Sequence, residues 1–176
     1  MGDWPAPPTL KTERLVLEPL SVDHAEEMAP LVADEALHAF TGGRPDTPEE
    51  LRHRYARQAG GRSPDGAQRW LNWIVRLEQT GAAVGTVQAT VGGGEHAPVV
   101  AELAWVIAAK HQGHGYATEA AVEMARWLRE QGTTVLAAHI HPDHKASMRV
   151  ASALGLAPTD EFVDGEIRWT AGAGAP

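Results

Sequence analysis

Residues 139–144 read HIHPDH, so His139, His141, Asp143 and His144 spell the H-x-H-x-D-H of a two-zinc hydrolase site. The chemistry is suitable, because imidazole and carboxylate are good zinc ligands. His139 and His141 would share one face of a strand, and Asp143 and His144 would follow at its end. Such a site needs further histidine and acidic ligands downstream, and no histidine follows His144. The remaining chain offers one helix and one hairpin, with no second sheet to complete the site. The expectation is therefore two strand histidines running into a helix start, with no metal site.

A second stretch, Gln112-Gly113-His114-Gly115-Tyr116-Ala117, lies between a strand-like and a helix-like run. Such a loop can aim backbone N–H groups at phosphate oxygens. Gly113 and Gly115 let the backbone come close, and a helix N-terminus adds partial positive charge. A third feature is Glu102, the sole acidic residue in the strand-like run VVAELAWVIAA.

The elements that must position these residues follow from periodicity. LKTERLVLEPL alternates Leu15, Leu17 and Pro19 and reads as a strand. Ser21 to Asp34 reads as a helix with Ser21 as its cap, carrying Ala25, Met28, Leu31 and Val32 at helical spacing. Thr47 with Glu50 forms a capping box for a second helix ending near Gln58. Residues 70–91 read as a hairpin turned at Thr80-Gly81, and after the turn GGGEHAP the run 99–109 completes a meander. The helix over 115–132 has an apolar stripe of Ala117, Ala120, Ala121, Met124, Ala125 and Leu128, with Gly132 as its stop. VLAAHIH is a strand, and DHKASMRVASALG is a helix with Met148, Val150, Ala151 and Leu154 inward. A hairpin turned at Asp164-Gly165 ends the chain. The whole reads as a mixed α/β sheet covered by helices.

With 176 residues the chain fits one domain, placed at 10–171 between flexible tails at 1–9 and 172–176. Cysteine is absent, which excludes thiol catalysis, disulfides and cysteine-ligated zinc and suits a reducing cytoplasm. A net charge of −8 argues against a broad electrostatic grip on nucleic acid or anionic lipid. No stretch is long enough to span a bilayer and the N-terminus lacks the apolar run of a signal peptide, so a soluble, cytoplasmic protein is expected.

In this order, LKTERLVLEPLSVDHAEEM, AELAWVIAAKHQGHGYATEA and HPDHKASMRVASALGL resemble the GNAT superfamily of acyl-CoA N-acyltransferases, in particular its RimJ/RimL-like branch. The resemblance covers nearly the whole chain. It implies a mostly antiparallel central sheet, helices on both faces, and a splayed parallel pair formed by a fourth strand, Val99 to Ile107, and a fifth, Val135 to His141. The pantetheine arm of acyl-CoA would enter that gap. Backbone groups of Trp105, Val106 and Ile107 would hold the arm and polarise the thioester, and amides from Gln112 to Ala117 (Gly113, His114, Gly115 and Tyr116 included) would hold the pyrophosphate. Glu102 would be the base, directly or through a water. Ser147 matches the serine near the CoA sulfur. His144 stands where the family has asparagine, and can hydrogen-bond the pantetheine or hold the proton the thiolate takes up.

The acceptor would bind opposite the cofactor, near the loop 38–48, Trp70 and Trp73, and the hairpin around 161–166, with both tryptophans taken as packing residues. The resemblance implies acetyl-CoA, or another acyl-CoA, as co-substrate and a primary amine as acceptor: a protein N-terminus, a small amine, an amino acid or an amino-bearing antibiotic. Partners on nucleic acid or membrane are not expected, and a homodimer is left open. A binding protein that senses acyl-CoA without turnover remains the alternative.

Overall fold

The computed structural model describes residues 4–40, 43–94 and 96–171. Thr41 and Gly42 of the expected acceptor loop, Glu95 of the expected turn, and the tail 172–176 lie outside them. The strands are β1 (Leu10–Lys11), β2 (Leu15–Pro19), β3 (Arg69–Leu77), β4 (Ala83–Gly94), β5 (Ala97–Ile107), β6 (Val135–Ile140), β7 (Ala157–Val163) and β8 (Glu166–Ala171). The helices are α1 (His24–Val32), α2 (Pro48–Ala59), α3 (Tyr116–Glu130) and α4 (Lys145–Ala153). The first expected strand is a short hairpin, β1 and β2, so the expected fourth and fifth strands are β5 and β6.

One sheet runs β1-β2-β3-β4-β5-β6-β8-β7. Its pairings are antiparallel except for β5 with β6. That parallel pair is held only at Val100–Val135, Ala101–Leu136 and Glu102–Ala137. Beyond this rung β5 continues to Ile107 and β6 to Ile140, unpaired with each other. The expected splay is present and begins at Glu102.

Strand alternation divides the sheet into two faces. Leu71, Trp73 and Val75 of β3 and Ala101, Leu103 and Ile107 of β5 bury one face against the stripe Ala120, Ala121, Met124, Ala125 and Leu128 of α3. The other face carries Ile74, packed with Ala25 and Met28 of α1 and Leu51 and Tyr55 of α2. Helices thus cover both faces.

Two expectations are corrected. Ser21 does not cap α1: the helix starts at His24, its N-cap Asp23 makes no side-chain cap bond, and the Ser21 N–H donates to His24 Nδ1 at 3.0 Å. The Ser21 hydroxyl lies 3.3 Å from the same nitrogen and so faces the imidazole. Residues 4–8, expected to be loose apart from whatever Trp4 packs on, are fastened at Pro8 as well as at Trp4. Trp4 is buried with its ring edge-on to Trp127 at 6.4 Å, its carbonyl accepts from Arg69, and the Trp73 indole donates to Pro8 O at 2.8 Å. A large aromatic side chain that finds an apolar niche outweighs the tendency of a terminus to fray. The Thr47–Glu50 capping box is complete, and the hairpin turn at Asp164-Gly165 has both residues at positive φ (51° and 87°).

Candidate active site

The gap between β5 and β6 leaves main-chain groups without a sheet partner. The Ala108 N–H donates to Val84 O, and alternation then commits the backbone of Val106 to β4. The peptide groups of Trp105 and Ile107 point toward the gap. Of the expected triplet, Val106 instead offers its side chain to the opposite face. The Gln112 side chain donates to Ile107 O at 2.9 Å and ties the glycine loop to the end of β5.

Gly113 and Gly115 have φ of 81° and 80°, a left-handed backbone that side chains resist. Gly115 is the N-cap of α3 and brings no capping side chain. The first helical bond runs from Glu119 N–H to Gly115 O, so the amides of Tyr116, Ala117 and Thr118 have no acceptor within the helix. Open amides at a helix start form an anion cradle.

The loop is held from a part of the chain 100 residues away. Arg14, from the β1–β2 turn, donates to His114 O at 3.0 Å and to Glu119 Oε2 at 2.7 Å, and sits 5.0 Å over the Tyr116 ring. That ring stacks on His114 at 5.3 Å. Burial works to raise the Glu119 carboxyl, but hydrogen bonds from Thr12 and Arg14 outweigh it and hold the group below the usual carboxylate range. Burial, then Lys110 and His114, pushes His111 down, so it adds no positive charge at neutral pH.

At the vertex of the splay, Glu102 points to the α1/α2 face. Its Oε1 lies 3.2 Å from Arg168 Nη2, and Arg168 also reaches Glu161 at 3.3 Å. Glu102 Oε2 is shut off from solvent and receives no hydrogen bond, and His139 Nδ1 lies 3.5 Å away. His139 and Arg168 are direct cross-strand partners on β6 and β8.

Across the gap, the Trp105 indole donates to Ser147 Oγ at 3.2 Å. His144 is the N-cap residue of α4 without a side-chain cap bond, and its ring packs 4.4 Å from Phe40. Burial, then the neighbouring His141, pushes His144 down, so it is a neutral imidazole at physiological pH. His141 Nδ1 accepts from the Asp143 N–H at 3.2 Å. Of the HIHPDH rings, His139 lies beside Glu102, His141 accepts from the Asp143 amide, and His141 and His144 both pack on Phe40. Among the described residues no group of three or more His, Cys, Asp or Glu is arranged to hold a metal.

A cavity of about 480 Å³ opens on the α1/α2 face. Its floor includes Asn72, Gln88, Thr86 and Val106, and Arg54 and Tyr55 of α2 form a wall. Burial pushes the Tyr55 hydroxyl up to about 12, so it stays protonated. Asn72 and Gln88 are paired across β3 and β4, and Gln88 and Ala104 across β4 and β5. The next row is Trp70, Thr90 and Glu102, which places Glu102 one row beyond the cavity floor. Trp73 faces the opposite core and is fully buried. Arg44 of the expected loop lines the cavity, whereas the 161–166 hairpin does not. Among the described residues no carboxylate lines the cavity; Asp46 and Glu50 pair instead with Arg54 and Arg44.

The family model described as an acetyltransferase (GNAT) domain matches residues 14–157. The chain belongs to the GNAT acetyltransferase family. Its fold is shared by a GNAT-family acetyltransferase from Bacillus anthracis, with TM-score 0.78 and 20% identity over 94% of this chain and 99% of that one. It is shared also by RimL, a ribosomal L7/L12 alpha-N-protein acetyltransferase solved with coenzyme A, with TM-score 0.74 and 13% identity over 96% and 100% of the two chains. The microcin C7 self-immunity acetyltransferase MccE, solved with acetyl-CoA and AMP, gives TM-score 0.72 and 14% identity over 92% and 93%. No curated protein matches the sequence. In this GNAT domain the splay at Glu102, the α3 cradle and the cavity adjoin one another along β5. No helix among the described residues is long and apolar enough to cross a membrane.

Proposed function

We propose that this GNAT protein transfers an acetyl group from acetyl-CoA directly to a primary amine. The observation that carries the reading is the parting of β5 from β6 at Glu102, with unpaired backbone leading to the open N-terminus of α3. The amides of Tyr116 and Ala117 hold the pyrophosphate, and the gap-facing peptide groups of Trp105 and Ile107 hold the arm and polarise the thioester carbonyl. The amine enters through the cavity on the α1/α2 face and meets the thioester from the side opposite the cofactor.

An ammonium is not a nucleophile, so its proton must leave first. Glu102, one row from the cavity floor, accepts that proton directly or through a water. Ser147 serves the departing thiolate. Its oxygen already accepts from Trp105, so its own proton is free to donate to sulfur. His144, neutral at the start of α4, keeps the capacity of asparagine to donate and accept.

The acceptor is a protein N-terminus, a small amine, an amino acid or an amino-bearing antibiotic. The cavity has a neutral amide floor and arginine-bearing walls, not the carboxylates that would hold a polycation. The second reading, an acyl-CoA sensor without turnover, rests on His144 at the asparagine position. Free thiol released from acetyl-CoA, measured across an amine panel, separates the two. Amine-dependent release supports transfer, and binding with no release from any amine supports the sensor.

A further inference from the structure

Glu102 carries a feature that a lone base does not require. One oxygen is taken by Arg168 at 3.2 Å, and the other is buried without a donor. A buried carboxylate oxygen left unpaired is costly, and one that persists asks for an explanation. His139 Nδ1 lies 3.5 Å from it. This placement is built into the sheet. Glu102 sits on the last rung of β5 with β6, opposite Ala137, and His139 is the next residue of β6 on the same face. Arg168 faces His139 from β8.

We propose that the proton taken up at Glu102 comes to rest on His139, so that the two residues act as one proton-accepting pair. The inference rests on the acyl-transfer reading of the site. Imidazole is the side chain whose charge changes nearest neutrality. With His139 neutral, Glu102, Glu161 and Arg168 leave the cluster one negative charge in excess, and a proton on the ring removes it. The imidazolium also supplies the donor that Glu102 Oε2 lacks. The His139 side chain is 33% exposed, so the proton can then leave to water. His141 lies just past the end of β6, and Glu166 shares the face of Arg168 on β8. Neither is paired with His139.

The ammonium gives one proton to the pair, and its nitrogen forms the C–N bond at the thioester carbonyl. The C–S bond breaks, the second nitrogen proton ends on the thiolate, and the pair returns its proton to solvent. Ammonium and thioester yield amide, thiol and one proton.

The test compares His139→Gln, Glu102→Gln and the double variant, each first checked for parental melting and acetyl-CoA binding. His139→Gln is expected to lose about tenfold to a hundredfold in kcat at neutral pH, with the loss shrinking at alkaline pH. The double variant is expected to be no slower than Glu102→Gln, because two members of one unit do not multiply. A His139→Gln enzyme with the parental rate and pH profile, or losses that multiply, overturns the proposal. An activity-independent readout is the 15N spectrum of the His139 ring in alkaline solution. The parent is expected to carry the ring proton on Nε2, which leaves Nδ1 open to receive the proton from Glu102. A neutral ring already protonated on Nδ1 overturns the pair even if no acceptor has been found. A parent that turns over no amine counts against the acyl-transfer reading alone.

Discussion

The Trp105 indole N–H and the Ser147 hydroxyl oxygen lie 3.2 Å apart and bridge β5 to α4 across the gap. The indole can only donate, so Ser147 must accept, and its own hydrogen turns elsewhere. The bond therefore orients a proton donor at the mouth of the cleft where a thiolate would form.

Replacing Trp105 with Phe keeps an aromatic ring but removes that donor. We expect kcat to fall by about three- to tenfold, the scale of one neutral hydrogen bond, with acetyl-CoA affinity little changed. Ser147→Ala should lose at least as much. Parental kcat in both variants would remove Ser147 from the reaction.

Acetyl-CoA should raise the melting temperature of the parent by mass action. Gly115→Val should abolish the rise while the protein stays folded. A side chain there meets only Arg14 Nη2 at 3.6 Å, so the damage comes from the backbone, which φ of 80° strains by about 1–3 kcal/mol and which must otherwise close the cradle. Normal acetyl-CoA binding by a folded Gly115→Val protein would refute the loop assignment.

Glu119 gives a pH signature. Its folded carboxyl is held below its unfolded value, so its stabilisation is present above the unfolded carboxylate range and is lost as pH falls through the folded value. Thermal melts taken downward from neutral pH should show this loss in the parent. Glu119→Gln should start less stable, because Thr12 and Arg14 lose their charged acceptor, and should fall less steeply. Parallel curves would contradict the linkage.

Chelators should leave acyl transfer unchanged. His139 lies beside Glu102 while His141 and His144 pack on Phe40, and no metal-holding cluster lies among the described residues. Activity lost in chelator and restored by zinc would contradict this.

Much of the scaffold was legible because its signals are local. The α3 stripe, the Thr47–Glu50 box and the Asp164-Gly165 turn each lie within a few residues. The glycine loop and Glu102 stood out for the same reason. The partners of these groups did not. Arg14 meets Glu119 105 residues away, and Arg168 meets Glu102 66 residues away. The second contact depends on β8 lying between β6 and β7, an order that hydrophobic alternation does not encode. The face of β3 was ambiguous too. Five consecutive residues, Leu71 to Val75, are buried, so alternation did not distinguish Trp73 in the core from Asn72 on the cavity floor.

The most direct test of the account is thiol release from acetyl-CoA with the best amine acceptor, measured for the parent and Glu102→Gln from mildly acidic to alkaline pH. Glutamine keeps the size and hydrogen bonding of the side chain and removes its basicity. Glu102→Gln is expected to bind acetyl-CoA nearly as well as the parent and to lose roughly a hundredfold or more in rate near neutrality. The loss should shrink as pH rises and more of the amine arrives neutral. Full activity of Glu102→Gln across that range would show that Glu102 is not the base.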